Sequence, residues 1–278
     1  MSDVTKPHPP VRENLLFHEE SVWKKLSDVP QQVHEVLQYA GKKQWEIPEF
    51  VARDISVVHA KQMPVKKGLS TPHGLARMLH DLASIELQAM ELGLRSLVEY
   101  PEAPEPLRQE LADLTLSEAE HLRICLEGIQ GLGFQWGDWP VHQGLWQSVR
   151  PEDSLLDRLL IVHRYLEGSG LDAGETLLRR LEGLSTPDGG SLKIVQQIVR
   201  EEIPHVRFGS YWYQQLCRQQ GMDPDQDFAS RMLSLRHQLP KRIENLSVTM
   251  RRQAGFTDAE LEFLQEYRQG MIKFSGKH

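Results

Sequence analysis

The chain has 278 residues, with 32 Lys+Arg against 39 Asp+Glu, a formal net charge of −7, and a mean hydropathy of −0.45. Forty per cent hydrophobic and 26% charged residues are the proportions of a globular protein, which excludes disorder throughout, and no stretch approaches the ~20 apolar residues of a membrane helix. Two cysteines, Cys125 and Cys217, are too few for a disulfide framework or a cysteine-built zinc or iron–sulfur site, so any metal must be held by His and carboxylates. The acidic balance argues against broad, sequence-blind nucleic-acid binding. The opening MSDVTKPHPPVREN lacks the apolar centre of a secretory signal, and the expected location is the cytoplasm.

Taken in chain order, the pattern is all-α. Residues 1–70 read as an N-terminal extension packed on a core, with an amphipathic piece over Glu19–Leu37 and Gly and Pro punctuation in VKKGLSTPHG. A first long helix begins near Thr71–Pro72 and stops before Pro101, with the stripe Leu75, Met78/Leu79, Leu82, Ile85, Ala89, Leu92 and Leu97. A second follows Pro104–Pro106 and ends around Gly131–Gly133; an alternative start at Ser117 uses a capping box with Glu120. A third spans about Asp153 to Gly183, and a fourth about Ser191 to Gln220. Short Pro- or Gly-bearing breaks make two antiparallel hairpins, and roughly twenty residues between the second and third helices can reach about 60 Å. That connectivity is a four-helix bundle with one long crossover over residues 71–220. Residues 221–278 form a C-terminal helical appendage, in which Thr257 and Glu260 make another capping box.

Charged residues interrupt every stripe. Residues three and four apart share a helix face, so Leu82–Glu86–Ala89 puts Glu86 on the first helix's buried row. On the second, the row Leu111, Leu114, Glu118, His121, Cys125 turns Glu118 and His121 inward; on the third, Leu156, Leu160, His163, Glu167, Gly170, Gly174 turns Glu167 inward. The fourth repeats Glu-x-x-His in Val195, Ile198, Glu202, His205, Gly209, Trp212. Each half is thus a lone Glu followed by Glu-x-x-His, 32 residues later in the first and 35 in the second. Four buried carboxylates need positive charge among them, and two divalent cations match them. Glu86, Glu118, His121, Glu167, Glu202 and His205 are therefore the candidate ligands of a dinuclear carboxylate site, with iron or manganese favoured by the donor set. Pro204 inside the second motif makes the direction of Glu202 less certain, and Glu201 is the fallback.

Other residues carry two readings. Gly168, Gly170 and Gly174 open room for dioxygen or substrate, or permit close helix packing. His163 orients a ligand or is a satisfied core histidine. The loop GFQWGDWPVHQGLW, with Trp136, Trp139 and Trp146, reads as a lid, with His142 or Asp138 as outside candidates for a pocket. Lys66, Lys67 and the cluster Arg236, Lys241, Arg242, Arg251, Arg252 read as solvated surface, or as the seat of a phosphate-bearing substrate.

The core from Pro72 to Gly221 resembles the ferritin-like superfamily of dinuclear iron proteins, which includes rubrerythrins, demethoxyubiquinone hydroxylases and a tRNA hydroxylase. HDLASIELQAMEL, EAEHLRICLEGIQGLGFQWGDWPVHQGLW, EEIPHVRFGSYWY and NLSVTMRRQAGF look more closely like an uncharacterised bacterial ferritin-like family classed as a domain of unknown function. The superfamily pattern implies Glu86 and Glu167 as terminal carboxylates, Glu118 and Glu202 as bridging ones, and His121 and His205 as terminal nitrogen ligands. It implies two Fe ions, or Fe with Mn, an oxidase or hydroxylase acting with dioxygen, and an external reductase; a small-molecule or, from the basic residues, phosphate-bearing substrate is the expectation, and the lack of a long apolar run gives the expectation of no membrane. The competing expectations are a metal-handling or peroxide-removing protein and a metal-free helical scaffold. The four-cysteine electron-transfer module of a rubrerythrin cannot be built from two cysteines.

Overall fold

The structure, a computed structural model, describes residues 14–184, 189–241 and 245–271. Its regular elements among the described residues are helices, and Val57 and Val141 form an isolated bridge. Helix α1, Val22–Gln38, starts at Ser21, whose hydroxyl accepts from the Lys24 amide, and buries Val22, Val29, Val33 and Val36 against α2 and α3.

Helix α2, Pro72–Glu99, begins where Thr71 caps the Gly74 amide and Pro72 fills the first turn, as the sequence indicated. Helix α3, Glu105–Gly131, runs straight through Ser117, so the alternative start there is overturned. A cap needs a non-helical Ser, and the buried Leu107, Leu111 and Leu114 hold the preceding turns in the helix. The two helices pack along each other, closely enough at one point that a Cβ on Gly93 would lie 2.3 Å from Thr115 Oγ1.

The third long helix is one continuous rod in three parts: α4, Leu155–Arg158, a π-helical stretch, Leu159–Leu166, and α5, Glu167–Glu182. The π stretch is a departure from the expected α-helix. All eight of its residues are buried, and it lies against α6, Gly189–Gln219. The approach is close: a Cβ on Gly209 would sit 2.4 Å from that of His163. Pro204 lies inside α6 without ending it.

Three shorter helices follow, α7 over Pro224–Ser234, α8 over Val248–Gln253 and α9 over Asp258–Arg268; α7 and α8 pack on α6, and α8 also meets α5. The capping box of Thr257 and Glu260 forms at the start of α9. Arg251, taken from the sequence as part of a basic surface, is instead buried in an ion pair with Asp172. Arg252 pairs with Asp258 on the surface, and Arg242 lies outside the described residues, as does the polar start of the chain to Glu13 read for a targeting signal. No helix among the described residues is long and apolar enough to cross a membrane.

Candidate metal centre

Two of the four long helices bring their interrupting charges directly together. Glu118 and His121 come from α3, Glu202 and His205 from α6; one donor atom of each lies within 4.8 Å of the others. The spacing explains this, because residues three apart share a helix face and each pair projects an oxygen and a nitrogen together. His205 Nδ1 stands 2.8 Å from Glu118 Oε1 and 3.5 Å from Glu202 Oε1. His121 Nδ1 faces three carboxylates at once: Glu202 at 3.4 Å, Glu86 at 3.5 Å and Glu118 at 3.6 Å. Glu86 of α2 therefore joins the cluster through His121.

Glu167 opens α5 directly after the π stretch, buried and facing the same cavity, with Oε1 2.8 Å from His163 Nδ1. His163 is thus a buried histidine whose Nδ1 is satisfied by the Glu167 carboxylate, an arrangement common to both of its readings. Glu202, not Glu201, points into the cluster. Glu201 stands behind His121, its Oε2 3.1 Å from Nε2. His205 Nε2 has the matching contact, 3.0 Å from Ser117 Oγ. Both rings are thus held at the outer nitrogen with Nδ1 turned inward, the arrangement that fixes tautomer and orientation in a metal-binding imidazole. The Ser117 and Glu201 contacts were not anticipated; the signal was their place one helical turn or less from a ligand on the same helix.

The polar atoms at the centre are left without partners. Both oxygens of Glu118, Nδ1 of His121 and of His205, and Glu167 Oε2 are buried with no aligned hydrogen bond. Orphaned buried groups of this kind cost about 1–3 kcal/mol each, so this concentration of them demands an explanation. Donors held about 2.1 Å from a shared ion stand roughly 3.0 Å apart at right angles and about 3.4 Å apart at tetrahedral angles. The four longer separations, 3.4–3.6 Å, have the spacing of donors around a shared cation, whereas the 2.8 Å contact of His205 with Glu118 has hydrogen-bond length.

Electrostatics points the same way. Burial pushes the Glu86 carboxyl well above its usual range, and the charges of Glu118 and Glu202 add to it. Burial works likewise on Glu167, opposed by His163. Burial also opposes ionisation of Glu118, but His205 and His121 overcome it and hold that carboxyl below the ordinary range. Burial disfavours a charged His205, yet Glu118 and Glu202 push it up to about 11. The site attracts positive charge strongly.

Beside the carboxylates lies a cavity of about 140 Å³ whose walls are apolar apart from Glu86, Glu118, Glu167 and Glu202. The three glycines of α5 divide by role. A Cβ on Gly168 would meet Arg251 and one on Gly174 would meet Val199, so these permit close packing; Gly170 meets nothing within 4 Å and opens onto the cavity. The tryptophan loop packs along α2, where His80 stacks on Trp136 at 4.7 Å and, near the helix's carboxyl end, Arg95 lies over Trp146. Gln88 clamps it, donating to the His142 carbonyl and accepting from the Leu145 and Trp146 amides. Leu145 reaches the cavity wall, whereas His142 and Asp138 do not.

Comparison with known proteins adds family membership without an activity. The family described as "Protein of unknown function (DUF455)" matches residues 16–262. An uncharacterised protein of Haemophilus influenzae is 31% identical over 248 residues, which cover 84% of each chain. No solved structure matches.

Proposed function

The chain belongs to the DUF455 family of proteins of unknown function, and from the geometry of its own centre we propose that it is a dinuclear non-haem iron oxidase or hydroxylase on a ferritin-like four-helix bundle. In this reading α2, α3, the α4–α5 rod and α6 are the bundle helices, and residues 132–154 are the crossover. Glu86, Glu118, Glu167 and Glu202 would hold two iron ions, or one iron and one manganese, together with His121 and His205, whose Nδ1 atoms face inward. When bound, the ions supply electrons and open positions for dioxygen, and an external reductase would restore the electrons between turnovers. The chain's own side chains do the rest. Glu201 and Ser117 hold the outer nitrogens of the two imidazoles, His163 fixes Glu167, and the apolar lining keeps bulk water from the reacting centre.

The observation that carries this reading is the pair of buried, inward Nδ1 atoms, of His205 at 2.8 Å and of His121 at 3.6 Å, converging on the fully buried Glu118 carboxylate. A scaffold without metal has no use for such an arrangement. The decisive measurement is metal content per chain after anaerobic reconstitution with ferrous iron, for wild type and His121→Ala. Two ions in the first and a clear deficit in the second are expected, with a near-ultraviolet absorption change on admission of air. Equal content in both proteins, or none in either, overturns the proposal; two ions with no response to air favours metal handling.

A further inference from the structure

Two hollows of this molecule share a wall. The cavity beside the carboxylates is bounded outward by Leu82 and Ile85 of α2 and by Ala173 and Leu177 of α5. The same four residues are the floor of a surface groove whose rim carries Lys66, Lys67, Arg77 and Arg180. Ile85 is 40% exposed although it lies on the helix's apolar row, because it stands at this mouth. Any passage from the basic rim to the acidic centre is thus lined by the aliphatic side chains common to both hollows.

The charge on the rim is unbalanced. Against its four cations the groove offers one carboxylate, Asp81, already engaged by Arg77 at 3.0 Å and by Lys66 at 3.0 Å. Arg77 gives the more specific sign. It is 3% exposed, with its Nε on Asp81 and its face toward Trp139, yet its Nη2 is buried with no hydrogen-bond acceptor. A guanidinium among the groove's lining residues, fixed by Asp81 and Trp139 and with one nitrogen lacking an acceptor, is suited to an anionic oxygen supplied by a ligand.

We propose that this passage binds an amphipathic anion, its phosphate head held at the rim by Lys66, Lys67, Arg77 and Arg180 and its apolar tail passing Ile85 and Ala173 into the cavity beside Glu86 and Glu167. This rests on the reading of the centre as an oxidising site and names the class of molecule presented to it. A cavity of about 140 Å³ is close to one that accommodates benzene, so the enclosed part of the tail is about six carbons long. A free head without a tail leaves the apolar wall uncovered, and a tail without a head leaves Arg77 Nη2 without an acceptor. Both parts are therefore required for affinity.

Calorimetric titration of the reconstituted protein with hexyl phosphate, inorganic phosphate and 1-hexanol tests this, alongside Lys67→Glu/Arg180→Glu and Ala173→Phe. These positions are exposed, and unchanged melting curves verify that the variants fold. Hexyl phosphate is expected to bind wild type at least tenfold more tightly than either fragment, and to lose about tenfold or more in each variant. No binding of hexyl phosphate at millimolar concentration, equal binding to all three proteins, or inorganic phosphate binding as well as the ester overturns the proposal. Metal content of the same samples separates the two failures. Two ions with no ester bound sinks this inference alone, whereas ester bound with no metal retained sinks the oxidase and leaves the amphiphile site standing.

Discussion

At the scale of single residues, the outer contacts of the two imidazoles are the most informative feature. Glu201 is a third exposed and holds the proton-bearing side of a fully buried His121. Removing such a partner typically costs 10–100-fold in metal affinity while leaving every ligand in place. Glu201→Ala is therefore expected to retain the fold and to bind ferrous iron 10–100-fold more weakly than wild type, measured by competition with a chelator of known affinity. A second residue-scale effect is independent of metal. Burial lowers His80 to about 4, with Arg77 assisting, and the neutral ring accepts from the Gly137 amide. The unfolded chain binds this proton near pH 6.5 and the folded one only near 4, so between those values the unfolded state holds more protons and stability falls as pH falls. The loss is on the order of 3 kcal/mol by pH 4. With chelator present throughout, the melting temperature of His80→Gln should decline less between pH 7 and 4 than that of wild type; parallel declines would contradict the assignment.

At the scale of elements, sequence and structure agree where local chemistry decides and part where tertiary contact does. Thr71–Pro72 and Pro104 set the starts of α2 and α3 through capping and a fixed backbone angle, both local effects. The inward set of Glu and His was legible for a similar reason, since each sits where a helix row otherwise carries Leu. The π stretch was not legible. It lies where α6 comes close at Gly209, 46 residues beyond His163, a contact that leaves no mark on the local periodicity. Nor does the Ser117–Glu120 pair act as a cap once buried leucines extend the helix before it. The glycines of α5 allow a test in which the sign of the effect, not only its size, is at stake. Gly170 faces open space, so Gly170→Ala should stabilise by up to about 1 kcal/mol through helix propensity. Gly174 leaves a Cβ only 2.5 Å from Val199 Cγ2, a β-branched side chain with little freedom to move, and Gly174→Ala should destabilise by about 1–3 kcal/mol. Urea denaturation of the two variants reads both.

At the scale of the molecule, the segments flanking the four long helices are fastened by buried ion clusters rather than by apolar packing alone. Lys25 of α1 and Arg53 both meet Glu91 of α2, at 2.6 Å and 2.5 Å, with all three side chains buried. At the other end Asp172 of α5 accepts from Arg251 of α8 and Arg268 of α9, each at 2.7 Å, and from the Ser247 amide. Sequence alone places such residues on the surface, because the partner that pays for their burial is distant: Arg251 and Asp172 are 79 positions apart. The carboxyl end of the fold therefore rests on Asp172 together with Glu260 of α9, which takes the buried Arg164 at 2.6 Å. Burial disfavours the charge on Asp172, but Arg251 holds its carboxyl below the usual range, so the pair is ionised at neutral pH. Asp172→Ala would leave Arg251, 1% exposed, as an unpaired cation with Arg268 beside it. Breaking a buried pair in this way costs about 3–5 kcal/mol, whereas replacing both partners by apolar groups of similar size is often neutral. Urea denaturation should accordingly show a large loss for Asp172→Ala and a substantial recovery for Asp172→Ala/Arg251→Met. If the double variant is no more stable than the single one, the cost lies in Arg268 or in the Ser247 amide, and Arg251 is not the group that fastens α8 to the rod.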